Sequence, residues 1–340
     1  MIYVEKTALG TELTERLERE GRQMQVVEPG FIPEDDKKNI LITSSANNFV
    51  HKCPATSIYR CCGYFVTDAV EGCPFDCSYC ILQAYLNHSW IKVYSDLSRM
   101  ESEIRTLAAE GRRRLGTGEL ADSLALDGVL GLSEFFVPIV NSLDNIQFEL
   151  KTKSVQVSRL YNLNPRNVVL SWSLNPSYIA EREEHGAAPV SERIKTAAQM
   201  AECGYRLAFH FDPLIMYPGW EEGYRSLIEE LTDSIDPAVV EYISISTFRF
   251  MPDLAGIVRE KHPESLLMRG DFVNGLDGKM RYFKPLRTKM IKMVTEALQS
   301  RWKDVFIYYC MEHSTVWEQN FGFDPGERDE LEGLFPFYGR

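Results

Sequence analysis

The chain has 340 residues, 44% of them hydrophobic and 25% charged, with a formal net charge of −12. This composition excludes disordered, collagen-like and membrane-spanning classes and allows one large α/β domain or two smaller ones. The acidic balance works against general phosphate-backbone binding, which draws on Lys and Arg, so nucleic acid would have to meet a local basic surface: Arg112-Arg113-Arg114, or the run of Lys279, Arg281, Lys284, Arg287 and Lys289. A solvated helix face explains either run equally well.

Residues 1–6 carry no basic-then-apolar leader, and no apolar run is long enough to span a bilayer, so a cytoplasmic protein without a membrane partner is expected. In chain order, strands at 2–5 and 39–43 flank a helix over 11–23, a small N-terminal α/β unit of residues 1–60. Strands at 63–70, 123–127, 146–151, 168–174, 206–211 and 239–246 then alternate with amphipathic segments. Leu97, Met100, Ile104, Leu107 and Ala108 form one helical stripe, and Tyr224, Leu227, Ile228 and Leu231 another.

Strands separated by such helices imply right-handed βαβ crossovers and a parallel sheet. Six units over residues 61–251 therefore predict an α/β fold with a partial (β/α)6 barrel, whose chemistry sits at the C-terminal strand ends. From 252 the alternation stops. Residues 252–340 read as a C-terminal extension closing the barrel, with a helix over 286–298, a strand over 305–309 and no regular structure from 321.

Eight cysteines without a secretory leader argue for metal, redox chemistry or burial rather than disulfides. Cys73, Cys77 and Cys80, spaced C-x3-C-x2-C directly after the strand at 63–70, put three thiolates on one tight loop that can wrap a cuboidal iron–sulfur cluster, each on its own iron. The fourth iron is left open, as catalytic metals leave a position for a ligand. A zinc knuckle would need a further pair or a close His, and the nearest is His88.

Cys53, Cys61 and Cys62 suggest an auxiliary cluster with Cys310, but adjacent residues of an extended segment face opposite ways, which favours buried or reactive thiols. Cys203, ending a helix over 191–203, reads as core. His210 and Asp212 alternate onto one face at the end of the fifth barrel strand, where they would orient substrate or form a structural pair. Cys310-Met311-Glu312-His313 lacks metal-ligand spacing.

With Tyr79 ahead of its last cysteine, the loop resembles the motif of the radical S-adenosylmethionine (SAM) superfamily. The resemblance implies a 4Fe-4S cluster on Cys73, Cys77 and Cys80, SAM at the open iron, Tyr79 among the cofactor-binding residues, and cleavage of SAM to methionine and a 5′-deoxyadenosyl radical. It also implies an electron donor such as flavodoxin or ferredoxin.

Within the superfamily, four patterns are similar in order and placement to the spore photoproduct lyase family, which repairs a thymine dimer of spore DNA: Cys80-Ile81-Leu82-Gln83 followed by Ile91-Lys92-Val93-Tyr94; Thr152-Lys153; Ser173-Leu174-Asn175; and Gly219-Trp220-Glu221-Glu222-Gly223-Tyr224. That likeness implies a nucleic-acid substrate and SAM contacts from Lys153, Ser173 and Asn175. Gly118-Glu119 resembles the Gly-Gly-Glu pattern that holds the SAM amino group. The family's hydrogen-donating cysteine has no counterpart in residues 116–123, and Cys310, with Tyr308 or Tyr309 as a relay, is the candidate in its place. Two alternatives stay open: radical SAM chemistry on a small metabolite, peptide or nucleotide, and a non-catalytic iron–sulfur binding protein.

Overall fold

In the computed structural model, which describes residues 1–44, 47–56 and 58–339, the chain divides into two units. The first is Met1–Cys53, Phe65–Pro74 and Tyr85–Val168; the second is Pro54–Tyr64, Phe75–Ala84 and Val169–Arg340. Each unit contains a run of four hydrogen-bonded strands. Among the described residues no helix is long and apolar enough to cross a membrane.

In the first unit, Phe65–Thr67, Arg113–Thr117 and Ile146–Thr152 run parallel, with Val50–Lys52 antiparallel at the side of Phe65–Thr67. The crossover helix Leu97–Ala109 buries Leu97, Met100, Ile104, Leu107 and Ala108, the predicted stripe. Helix Leu132–Asn141 sets Phe136 5.6 Å from Phe148 of the strand it precedes. A second sheet orders Met24–Val27, Ile2–Glu5, Ile40–Thr43, Ile91–Tyr94 and Val70–Glu71, all parallel except the last.

In the second unit, Val168–Ser173, Arg206–Leu214, Val240–Thr247 and Ile307–Tyr309 are parallel. They are joined through helices Val190–Glu202, Trp220–Ser234 and Lys284–Arg301. Paired residues of a parallel sheet share a face, so the register sorts the side chains. Trp172, Phe209, Ile243 and Ile307 form one apolar row. That face meets helices: Trp302 packs on Phe209, and the Tyr309 hydroxyl lies 2.9 Å from Thr295 of helix Lys284–Arg301. The opposite face carries Ser173, His210, Ser244 and Tyr308 in one row across four strands. A small antiparallel sheet of Arg249–Phe250, Met280–Tyr282 and Phe272–Asn274 follows.

Five sequence expectations are corrected. The second barrel strand is Arg113–Thr117, not 123–127. There the Asp122 carboxylate accepts from the Leu124 and Ala125 amides, an Asx turn that leads into helix Asp127–Leu130 and defeats the apolar alternation. Arg114, read as part of a solvated run, is 2% exposed within that strand. The strand at 63–70 breaks at Asp68 into Phe65–Thr67 and Val70–Glu71, which join different sheets. Cys203 is exposed rather than core, and the tail contains helix Arg328–Gly333, capped reciprocally by Glu327 and Glu330.

Candidate active site

In the second unit, three consecutive residues grip the cysteine loop. Glu184 and His185 pair antiparallel with Cys77 and Asp76. The Ser78 amide donates to the Glu183 carbonyl at 2.8 Å, and the Ser78 hydroxyl donates to the Glu183 carboxylate. That carboxylate, fully buried, also accepts from the Ser265 hydroxyl at 2.7 Å and the Leu266 amide at 2.9 Å.

The Glu184 carboxylate accepts from the Tyr79 hydroxyl and from Asn175 Nδ2 at 3.0 Å, and it pairs with Arg193 at 2.6 Å. Arg193 in turn donates to the Ser173 carbonyl at 2.9 Å. Asn175 Oδ1 accepts from Tyr224, whose hydroxyl accepts from the Ile215 amide. Burial first, and Glu184 next, push the Tyr79 phenol well above its ordinary range, so it remains a donor.

The loop is tied down once more by Gln83, whose Nε2 donates to the Cys77 and Ser78 carbonyls, both at 3.1 Å. The structure thus brings Tyr79, Ser173 and Asn175 into one buried network. Its centre, the Glu184–Arg193 pair, and the Glu183 hub escaped the sequence reading. The only signal was the acidic pair Glu183-Glu184, which reads as surface in a helix otherwise rich in charge.

In the first unit Gly72, at φ +95°, turns the chain into Cys73, and its amide donates to the Leu120 carbonyl at 2.9 Å. The strand correction puts Gly118-Glu119 directly after Arg113–Thr117, at the C-terminal end of a parallel strand. Glu119 lies with His51 and Asp68, one ligand atom of each within 4.8 Å of the others. Its Oε2 is buried and has no hydrogen-bond partner among the described residues.

Burial, and then Asp68, raise the Glu119 pKa. His51 Nε2 and Asp68 Oδ2 are 2.7 Å apart. Burial raises the Asp68 pKa against the pull of His51, while His51, despite its own desolvation, is raised by its bond to Asp68. Lys153 is half-buried just past strand Ile146–Thr152, and its amide donates to Asp122 Oδ2 at 2.7 Å. Asp68, Gly118, Asp122 and Ser123 all line one pocket.

Cys310 follows the last parallel strand, its amide donating to the Ile245 carbonyl at 3.0 Å. Arg249 spans three strand ends there: it donates to the Ser246 hydroxyl, lies 3.5 Å from Asp212, and its Nη2 is 3.9 Å from Cys310 Sγ. Ser246 belongs to the polar face of the sheet, two residues on from Ser244, and Arg249 brings Cys310 to that face. Arg249 was a residue the sequence did not single out.

Two groups of three potential ligands fall within 4.8 Å among the described residues, His51–Asp68–Glu119 and His185–His262–Glu264, and neither includes a cysteine. Such closeness suits a single ion. Thiolates of a cuboidal cluster each take a different iron, so three cysteines spread over one loop are the fitting donor set for it.

Parallel strands alternating with helices, and the three-cysteine segment that follows Val70–Glu71, define a radical SAM-type α/β protein. The sequence pattern of the spore photoproduct lyase family matches residues 61–309, and the chain belongs to that family. It is 24% identical over 204 residues to spore photoproduct lyase of Bacillus subtilis (strain 168), covering 58% of this chain and 59% of that protein. Against the Geobacillus sp. (strain Y412MC61) enzyme the figures are 23% over 203 residues, 58% and 60%. The matched stretch thus spans about three fifths of these relatives.

Among solved structures, a spore photoproduct lyase mutant with dinucleoside spore photoproduct superposes with a TM-score of 0.80 at 18% identity, covering 91% of this chain and 98% of that one. A second mutant, with bound AdoMet and the same dinucleoside, gives 0.79 at 19% over the same shares. At such identities the likeness establishes a shared fold.

Proposed function

We propose that the chain is a cytoplasmic radical SAM enzyme in which Cys73, Cys77 and Cys80 hold a 4Fe-4S cluster. The observation that carries this reading is the cysteine loop, whose Ser78, Tyr79 and Cys77 are fixed by two buried carboxylates and Gln83. Family membership supports an enzyme of this general type acting on SAM. Bound there, the cluster supplies an open iron and one electron, from a flavodoxin- or ferredoxin-like donor, for reductive cleavage of SAM.

The chain's own residues then bind and orient. Glu119, with an unsatisfied buried oxygen, is suited to accept from the SAM ammonium. Lys153 is suited to pair with the carboxylate of SAM, and the Tyr79–Ser173–Asn175 network keeps its own part of the cysteine loop rigid. Cys310 is the hydrogen donor in this reading: the Arg249 guanidinium holds the thiol at the polar face of the strand ends, where it returns a hydrogen atom to a carbon radical and becomes a thiyl radical.

The relatives' names point to a spore photoproduct as substrate. A second reading, a small metabolite, peptide or nucleotide, is favoured by the fate of the basic runs. Arg114 is buried; Arg281 is fully buried against Asp277 at 2.8 Å; Arg287 is buried 3.4 Å from Glu312; and Lys289 is engaged with Glu221.

An anaerobic assay of the reduced, reconstituted protein for 5′-deoxyadenosine tests the proposal. Cys77→Ala should abolish cleavage, and Cys310→Ala should retain it while altering turnover or product distribution on the true substrate. Full SAM cleavage by Cys77→Ala would overturn the cluster assignment, and an unchanged product pattern in Cys310→Ala would remove Cys310 as donor.

A further inference from the structure

The second unit contains a cluster of metal-ligating side chains that the SAM chemistry does not use. His185, His262 and Glu264 bring one ligand atom each within 4.8 Å of one another. The two imidazole rings lie nearly parallel, 17° between planes and 5.6 Å between centroids. His262 is 5% exposed and Glu264 is at the surface.

The backing of this cluster is built rather than incidental. Gln83 gives its Nε2 hydrogens to the Cys77 and Ser78 carbonyls, which leaves Oε1 facing His262 Nε2 at 3.3 Å. A carboxamide fixing one nitrogen of a buried imidazole is the outer-shell arrangement that orients metal-ligating histidines. His185 is fixed independently by its strand pairing to Asp76. The turn that carries Glu264 is anchored through Ser265 and Leu266 to the same Glu183 carboxylate that holds Ser78. Asp76 Oδ2, 4.0 Å from His262 Nε2, adds a second negative charge.

We propose that His185, His262 and Glu264 bind a divalent transition-metal cation, zinc in the first instance. Two imidazoles and one carboxylate are an established zinc ligand set that leaves one position for water, and the donors are too hard to select Cu(I) or a sulfur cluster. Glu264, on an exposed turn, supplies the rotamer change that closes the ligands to bonding distance of about 2.0–2.2 Å. The cation ties the turn after helix Leu254–Lys261 to the strand that supports the cysteine loop. The site shares no ligand with the cysteine triad, so its failure would leave the SAM reading untouched, and the reverse holds.

The test is zinc titration of the full-length, cluster-loaded protein in competition with a chromophoric chelator, alongside Glu264→Gln and His185→Gln. One zinc equivalent is expected, weakened at least about tenfold in each variant. Zinc should also raise the melting temperature of the parent chain and not that of Glu264→Gln, whose exposed side chain can be replaced without disturbing the core. Cobalt(II) added to the site should contribute, in the difference spectrum against the metal-free cluster-loaded protein, weak ligand-field bands and no new sulfur-to-metal charge transfer. Equal zinc affinity in the parent and both variants, no bound equivalent, or cobalt-induced charge-transfer bands in the difference spectrum would overturn the proposal.

Discussion

Glu184 and Arg193 are 0% and 1% exposed in their side chains and 2.6 Å apart, and removing one partner of such a pair leaves a buried charge uncompensated. That penalty is about 3–5 kcal/mol, whereas Tyr79→Phe deletes a single hydrogen bond to a charged acceptor, worth about 1.5–3 kcal/mol. Glu184→Gln is therefore expected to lower the denaturant midpoint and the iron retained per chain more than Tyr79→Phe does. Equal losses would mean the network does not centre on Glu184. His51 and Asp68 make a different residue-scale case, because both pKa values are raised in the folded chain. A raised folded pKa contributes stability that is complete below the unfolded value and is lost as pH climbs through the folded one. For His51 that window begins near its ordinary 6.5; for Asp68 it begins near 3.8 and acts in the same direction. The melting-temperature advantage of the parent chain over His51→Gln should hold below pH 6.5 and shrink above it; an advantage that grows with pH would refute the assignment.

Elements defined by long apolar periods were legible in the sequence: helices Leu97–Ala109 and Trp220–Ser234 bury the predicted stripes, and the strands Ile146–Thr152, Val168–Ser173 and Val240–Thr247 stand close to their predicted bounds. Arg113–Thr117 was not, because Arg113 and Arg114 read as solvated charge, and only pairing with Ile146–Thr152 on one side and Phe65–Thr67 on the other makes it a central strand. The C-x3-C-x2-C spacing stands out in the sequence because it is local. The Glu183–Glu184 grip does not, because it joins residues about a hundred positions apart and burial inverts the usual reading of a carboxylate. Gly72 is the element-scale hinge of the site. At φ +95° a side chain is strained, and a Cβ there would stand 3.2 Å from the Trp90 carbonyl and 3.3 Å from Ile91 Cα, both backbone atoms. Since neither can move without disturbing strand Ile91–Tyr94, Gly72→Ala should cost about 1–3 kcal/mol and reduce cluster loading. Denaturation and iron analysis that match the parent would show the turn to be tolerant.

At the scale of the whole molecule, a formal charge of −12 and the burial of Arg114, Arg281 and Arg287 bear on the substrate. Arg281 and Arg287 are buried in ion pairs with Asp277 and Glu312, and Arg281 also stacks 4.0 Å from the Tyr59 ring. Lys279, half-buried, has its pKa lowered by desolvation first and by Arg249 next, which weakens it further as a phosphate contact. Of that run only Lys284 and Lys289 are exposed, and Lys289 is engaged with Glu221. Each phosphate neutralised by a protein cation steepens the salt dependence of DNA binding by about 0.9 in log–log slope. One or two such contacts predict that affinity for an undamaged duplex falls by about tenfold or less between roughly 50 and 200 mM salt, whereas six or more would give about 10³. Fluorescence anisotropy with a short labelled duplex measures this slope directly. A shallow slope with weak binding is the expected result and would leave recognition to the lesion or small substrate itself. A fall of about 10³ would show that a basic surface assembled from other residues meets the DNA backbone, and would decide for the nucleic-acid substrate over the small one.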